Sequence, residues 1–378
     1  MKKYLVTFII LSLIAATATS ATATAVYKTW FQTSTGMEDT NSHYPDTAAF
    51  VFSPNYASDH TVYAGTYNGV FKSTDSGYHW ALSSTNLSNN HVNSLAISPN
   101  YASDHSLAAG TGHGVYLSTD YAATWNDIST TLPDLTVDVV VFHPNYNYST
   151  FPDLFVGTST AGVYRTTARP WNWQAMNGGM CEQRVLALAF TPDYASNANG
   201  YLFAGVDGSG GGNCGGVYKV KKGNTSWTTL NTGLPTSTAS RVVDALAISP
   251  SFASDQTVFV GISAGQGIYR STTGGATWNF LADTENLYIL SLAISPYYPC
   301  DGIILAGEDG AGVYLSRDKG ASWNKMNTGF DTGKSVLALA VGPGKASPAL
   351  NLFAGVFSDG AWQYIYPHAC LYVPFLKK

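Results

Sequence analysis

Leu95-Ala-Ile-Ser-Pro99 is the stretch on which the reading of this chain turns, because it returns six more times, twice unchanged and four times in altered form. The copies are Phe50-Val-Phe-Ser-Pro54, Val141-Phe-His-Pro144, Leu188-Ala-Phe-Thr-Pro192, Leu246-Ala-Ile-Ser-Pro250, Leu292-Ala-Ile-Ser-Pro296 and Leu339-Ala-Val-Gly-Pro343. Their prolines stand 45, 45, 48, 58, 46 and 47 residues apart. A period of this size marks a propeller or solenoid and overrides a count of domains by length. Each unit runs in one order: an apolar strand ending at Pro, a loop, a strand such as Thr61-Val-Tyr-Ala-Gly65, then Gly69-Val-Phe-Lys72, then a strand opened by Trp80. Four strands per unit make one blade, with small residues where blades approach closely, and no stretch reads as a helix.

The ends of the array do not match. Trp80, Trp125, Trp173, Trp227, Trp278 and Trp323 open the fourth strands of six units, whereas the seventh passes through Gly360-Ala-Trp-Gln-Tyr364 without one. Trp30, in Lys28-Thr-Trp-Phe-Gln-Thr33, supplies the missing strand. The expected architecture is therefore an all-β, seven-bladed propeller of four-stranded antiparallel blades, spanning residues 26–368 and closed by its N-terminal strand. Such closure removes exposed sheet edges.

Lys2 and Lys3 precede an apolar run from Tyr4 to Ala16 and an alternation of small residues up to Ala25, which reads as a signal peptide over residues 1–25. The run is shorter than the roughly 20 residues of a bilayer span, so no transmembrane segment is expected after cleavage. The destination is secreted, periplasmic or extracellular, with the C-terminal tail at residues 369–378 either packed or acting as a cell-surface retention signal. The formal charge is -5, only 11% of residues are charged and no basic cluster occurs, which argues against nucleic acid as a partner.

The turns before four of the tryptophans read Ser73-Thr-Asp75-Ser-Gly77-Tyr-His-Trp80, Ser118-Thr-Asp120-Tyr-Ala-Ala-Thr-Trp125, Ser271-Thr-Thr273-Gly-Gly275-Ala-Thr-Trp278 and Ser316-Arg-Asp318-Lys-Gly320-Ala-Ser-Trp323. They resemble the Asp box, or BNR repeat, of sialidases, sortilin-type receptors, xyloglucan-degrading enzymes and photosystem assembly propellers. The resemblance implies a structural role for Asp75, Asp120 and Asp318. Their carboxylates would bond backbone N–H groups of their own turn, with Gly77 and Gly320 at φ > 0 and the Trp packed between sheets. A second phrase, Pro54-Asn-Tyr-Ala-Ser-Asp59, recurs at Pro99 and Pro250 and in part at Pro192, and is expected to cap the blades.

Propeller topology puts the loops between strands two and three, and the links between blades, on the face opposite the Asp boxes, where members of the resembled family bind. The residues offered there are Tyr67, Asn68, His113, Asp207, Glu308, Asp309 and Asp359 from the loops, and His91, Asp134, Glu182, Arg184, Arg241 and Glu285 from the links. A sialidase needs three clustered arginines and an Arg-Ile-Pro phrase, which this chain lacks. A glycoside hydrolase needs two carboxylates about 5–9.5 Å apart, which Glu308 or Asp309 with Asp207 or Asp359 would supply. Scattered histidines and the absence of a C-x-x-C pair give no metal site, although loop carboxylates suit calcium, and no phosphate-cradling loop calls for a nucleotide cofactor.

Three functions compete: a non-catalytic exterior scaffold binding a protein or glycan, a glycoside hydrolase, and an assembly factor for a membrane complex. The first is favoured, because a strong scaffold comes without a catalytic constellation. The four cysteines are expected either to stay as free buried thiols or to pair by face, Cys181 with Cys214 and Cys300 with Cys370, because the other pairings would cross the disc and exceed disulfide reach.

Overall fold

The computed structural model describes residues 29–39, 41–88, 91–180, 184–210, 214–237, 240–330, 333–343 and 349–367. The signal peptide, the C-terminal tail, Glu182, Cys181 and Cys370 lie outside them. The described chain forms seven four-stranded antiparallel sheets. The first blade is Thr47–Phe52, Val62–Thr66, Gly69–Ser73 and Ala81–Leu82. Five more repeat its order, and the seventh joins Val336–Pro343, Ala349–Val356 and Gly360–Pro367 to Phe31–Gln32 from the other end of the chain. Phe31 stands opposite Gln363 and Gln32 opposite Trp362, so the N-terminal strand closes the ring as the tryptophan mismatch requires.

The inner strands neighbour one another around the axis, and the last touches the first. What lets them approach is a glycine in each second strand. A Cβ on Gly65, Gly110 or Gly205 would lie 2.8 Å from a methyl carbon of Val92, Val137 or Val243 in the next blade, and one on Gly261 would lie 2.3 Å from Ile289 Cγ2. At the seam, a Cβ on Gly355 would lie 2.2 Å from the carbonyl oxygen of Thr47. That neighbour is backbone and cannot rotate away. Gly355→Ala is expected to cost about 1–3 kcal/mol through overpacking. An unchanged unfolding midpoint would remove the close-approach explanation.

The outer rim is tied by the tryptophans. The indole N–H of Trp80 donates to Thr33 O (2.6 Å), that of Trp125 to Ser83 O (2.8 Å) and that of Trp30 to Met326 O (2.6 Å), each reaching the preceding blade. Trp173, Trp227 and Trp278 do the same to Ile128, Met176 and Leu230. In the turns before them, Ser73 Oγ donates to Asp75 Oδ1 (2.8 Å), which accepts the His79 N–H (3.0 Å). Asp120 and Asp318 repeat the pattern with Thr124 and Ser322. Thr273 replaces the carboxylate with its hydroxyl, which accepts the Thr277 N–H at 3.0 Å.

One expectation is corrected. The chain is not free of helix, because Tyr56–Asp59, Tyr101–Asp104, Phe252–Asp255 and Tyr298–Asp301 are single α-turns. Each ends in a left-handed residue and buries its aromatic. Four residues are too few to display a 3.6-residue period, so only the repeated phrase marks them. Tyr298–Asp301 is a copy hidden in sequence by Pro299 and Cys300, and its Asp301 accepts the Ile303 N–H (2.9 Å) as Asp59 accepts that of Thr61 (2.8 Å).

Candidate functional site at the funnel mouth

In all seven blades the residue that follows the second strand donates its backbone N–H to the carbonyl just before the inner strand. The pairs are Tyr67 with Asp46, Gly112 with His91, Ser159 with Thr136, Asp207 with Arg184, Ser263 with Val242, Asp309 with Tyr288 and Phe357 with Ser335. Links and strand-two-to-three turns thus share one face. It carries the sequence-selected residues that the structure describes.

At this end every inner strand is bulged. The register slips between Thr47 and Ala49, and likewise at the same place in the other six blades. A bulge leaves one residue unpaired and re-aims it. The unpaired residues are Ala48, Asn93, Asp138, Leu186, Asp244, Leu290 and Leu337, all half-buried, whereas the residue before each is buried. Five of them line an axial cavity of about 240 Å3: Ala48, Leu186, Asp244, Leu290 and Leu337. The bulged residues are therefore apolar in blades four, six, seven and one and polar in blades two, three and five.

The polar half is organised around Arg184. Its guanidinium holds Asp138 through two bonds, 2.9 and 3.0 Å long, and Asp138 also accepts from Ser159 Oγ at 2.7 Å. Asp207 and Asp244 lie within electrostatic reach of Arg184. Asp207 bonds the Ser209 N–H at 2.7 Å, and Asp244 Oδ2 is buried with no hydrogen-bond partner among the described residues. Burial pushes the Asp244 carboxyl up to about 6, against the opposing pull of bonds from Ser263. Arg241 has its Nε buried without a partner among the described residues. Tyr67 and His91 also lie at this mouth, their tilted rings in contact with centroids 3.5 Å apart, and burial raises the tyrosine pKa and lowers that of the histidine.

Other sequence-selected residues fall into separate groups. Asp359 pairs with Lys334 at 3.0 Å and accepts from the Trp362 indole. Asp309 accepts from Ser335 Oγ at 2.6 Å, and Asp134 accepts from Thr160. Glu308 is buried, accepts the Tyr288 N–H at 3.5 Å, leaves Oε2 without a hydrogen-bond partner among the described residues, and has its pKa raised by that burial. His113 occupies the turn of blade two, where its N–H donates to Thr111 Oγ1. Sequence reading missed Asp138 and Asp244. Their signal was a carboxylate at the second place of an otherwise apolar inner strand, in Val137-Asp-Val139 and Val243-Asp-Ala245.

Among the described residues no group of three or more His, Cys, Asp or Glu side chains is placed to hold a metal ion, and no helix is long and apolar enough to cross a membrane. Neither Cys214 nor Cys300 is a free thiol.

No family model matches the chain, and no curated protein does. Solved structures match it in fold. The extracellular domain of BT4673 from B. thetaiotaomicron is 16% identical with a TM-score of 0.63 over 87% of this chain, which spans only 39% of that one. YCF48 bound to D1 peptide is 16% identical with a TM-score of 0.61, covering 89% of this chain and 97% of that one. The computationally designed Ika8 protein is 14% identical with a TM-score of 0.53, covering 87% and 86%. At such identities the likeness establishes a shared propeller fold, and the funnel mouth has to be read from this chain's own residues.

Proposed function

We propose that the protein is a non-catalytic binding scaffold, exported from the cytoplasm, that takes a segment of a partner protein into its funnel mouth. The observation that carries this reading is the ring of bulged residues, which gathers Leu186, Leu290 and Leu337 around Asp244 in one open cavity. Apolar walls with a few convergent polar groups are what a binding site requires. The unpartnered Asp244 oxygen favours a basic or hydrogen-bond-donating side chain on that segment. Export follows from the sequence of residues 1–25 and agrees with the extracellular origin of BT4673. The peptide held by YCF48 supports the choice of a protein segment over a glycan. An assembly role would be one form of this binding.

Affinity capture from the native organism's envelope, with the full mature chain as bait, tests the reading. One partner should be retained by the wild type and by Asp120→Asn on the opposite face, and lost with Leu290→Lys. Turnover of a glycoside that disappears in Glu308→Gln would overturn the reading in favour of the hydrolase. Non-reducing peptide mapping is expected to yield Cys181 linked to Cys214 and Cys300 linked to Cys370. A Cys181–Cys300 peptide would contradict the pairing by face.

A further inference from the structure

On the opposite face, the junction of blades one and two lacks bonds that the same positions make at several other junctions. In blades four, five and seven the fourth residue of the third strand grips the next blade. Lys219 Nζ donates to Gly274 O at 2.8 Å, Arg270 to Lys319 O at 2.8 Å and Gln363 to Ser76 O at 3.1 Å. Each acceptor is a left-handed residue of an Asp-box turn. Lys72 has this place in blade one, but the corresponding carbonyl, that of Tyr121, accepts from Tyr63 Oη at 3.1 Å instead. The Lys72 ammonium is left 5.6 and 5.4 Å from the ring centroids of Tyr63 and Tyr121, with no hydrogen-bond acceptor among the described residues.

The second departure is Asn55. Its counterparts Asn100 and Asn145 donate from their side-chain amides to Tyr146 O and Ala195 O in the next blade, whereas the Asn55 amide donates to no described residue. The third is Tyr121 itself. It stands at φ 62°, where the other boxes have Ser76, Gly274 and Lys319, and a bulky side chain avoids that conformation. Strain of this kind persists where the surroundings impose it, and it clusters at ligand sites. Tyr121 is 42% exposed, and its ring stacks on His105 at 4.0 Å.

These departures open a cleft of about 380 Å3 lined by Asn55, Asp59, Lys72, Tyr101 and Tyr121, inside the range of about 300–1,000 Å3 typical of small-ligand sites. The carboxylate within it is already engaged, since Asp59 accepts from Ser53 Oγ and the Thr61 N–H. The polar groups left over are donors. We infer that this cleft binds a compact organic carboxylate the size of one sugar ring, with Lys72 Nζ and Asn55 Nδ2 donating to the carboxylate and Tyr101 and Tyr121 bearing on the body of the ligand. An ammonium that has lost part of its hydration gains the most from an anionic acceptor. Burial lowers the Lys72 pKa in accord with that loss, against the smaller opposing pull of the Asp59 charge.

Glucuronate, with glucose as its neutral counterpart, is the probe. Saturation-transfer NMR and titration on the mature chain should show saturable binding of glucuronate and not of glucose. Lys72→Met should weaken it about tenfold or more, as expected for loss of a bond to a charged group. Lys72→Arg should retain binding, and so should Leu290→Lys, which disables the funnel mouth and keeps this test separate from that of the partner site. Equal binding of the two sugars, no saturable binding of glucuronate, or undiminished binding in a folded Lys72→Met protein would each overturn the inference.

Discussion

Asp244→Asn is expected to make the protein more stable at neutral pH while weakening its hold on a partner. The Asp244 carboxyl is raised from 3.8 to about 6, chiefly by burial. Between those values the folded state binds more protons than the unfolded one, so the stability of the wild type falls as pH rises from about 4 through 6 and is level above. At 1.36 kcal/mol per unit the penalty in the ionised form is roughly 2–3 kcal/mol. The amide carries no charge and escapes it. Denaturant unfolding at pH 7.5 should therefore show a gain of that order for the variant, and at pH 3.5 a difference near zero. A gain of equal size at both values would sink the electrostatic account. Under the proposed function the same carboxylate faces the partner segment, so this variant is also expected to lose partner affinity.

The second large effect is expected at Trp30. The closing strand is only Phe31–Gln32 long, so backbone pairing alone is a weak latch. Trp30 supplies the rest. It is 2% exposed, packs its ring 4.9 Å from Phe330 and 5.6 Å from Tyr364, and donates its indole N–H to Met326 O at 2.6 Å. Trp30→Ala should cost about 3–5 kcal/mol, the usual loss for a large aromatic removed from a core. It should also expose the edge of Gly360–Pro367 to proteolysis. Trp323→Phe provides the contrast, because the Trp323 indole N–H is buried without an acceptor among the described residues and its removal should be close to neutral. If Trp30→Ala proved as mild as Trp323→Phe, the ring would be closed by something other than this strand.

Much of the architecture was legible from the chain because a repeat displays its own period. Seven prolines, six tryptophans in register and a seventh displaced to the N-terminus decide blade number and closure without reference to any contact. Local turn chemistry was equally legible. Asp75, Asp120 and Asp318 bond residues four positions away, so the groups that satisfy them are neighbours in sequence as well as in space. The short α-turns escaped because four residues carry no periodic signal, and Tyr298–Asp301 was masked further by its changed side chains.

The two candidate sites are of the other kind. Whether Asp138 and Asp244 face water, core or a shared cavity depends on a bulge, and a one-residue slip exchanges the faces of a strand. Nothing in Val137-Asp-Val139 or Val243-Asp-Ala245 announces that slip, which accompanies the crowding of seven inner strands around one axis. Lys72 is an ordinary strand residue in sequence, like Lys219. Its ammonium is left over because Tyr63, from the second strand of its own blade, reaches the acceptor first. Period and turn chemistry, which act over a few residues, were determined by the sequence alone. Which polar groups remain without partners was decided by the tertiary structure, because that depends on competition among side chains brought together from different strands and blades.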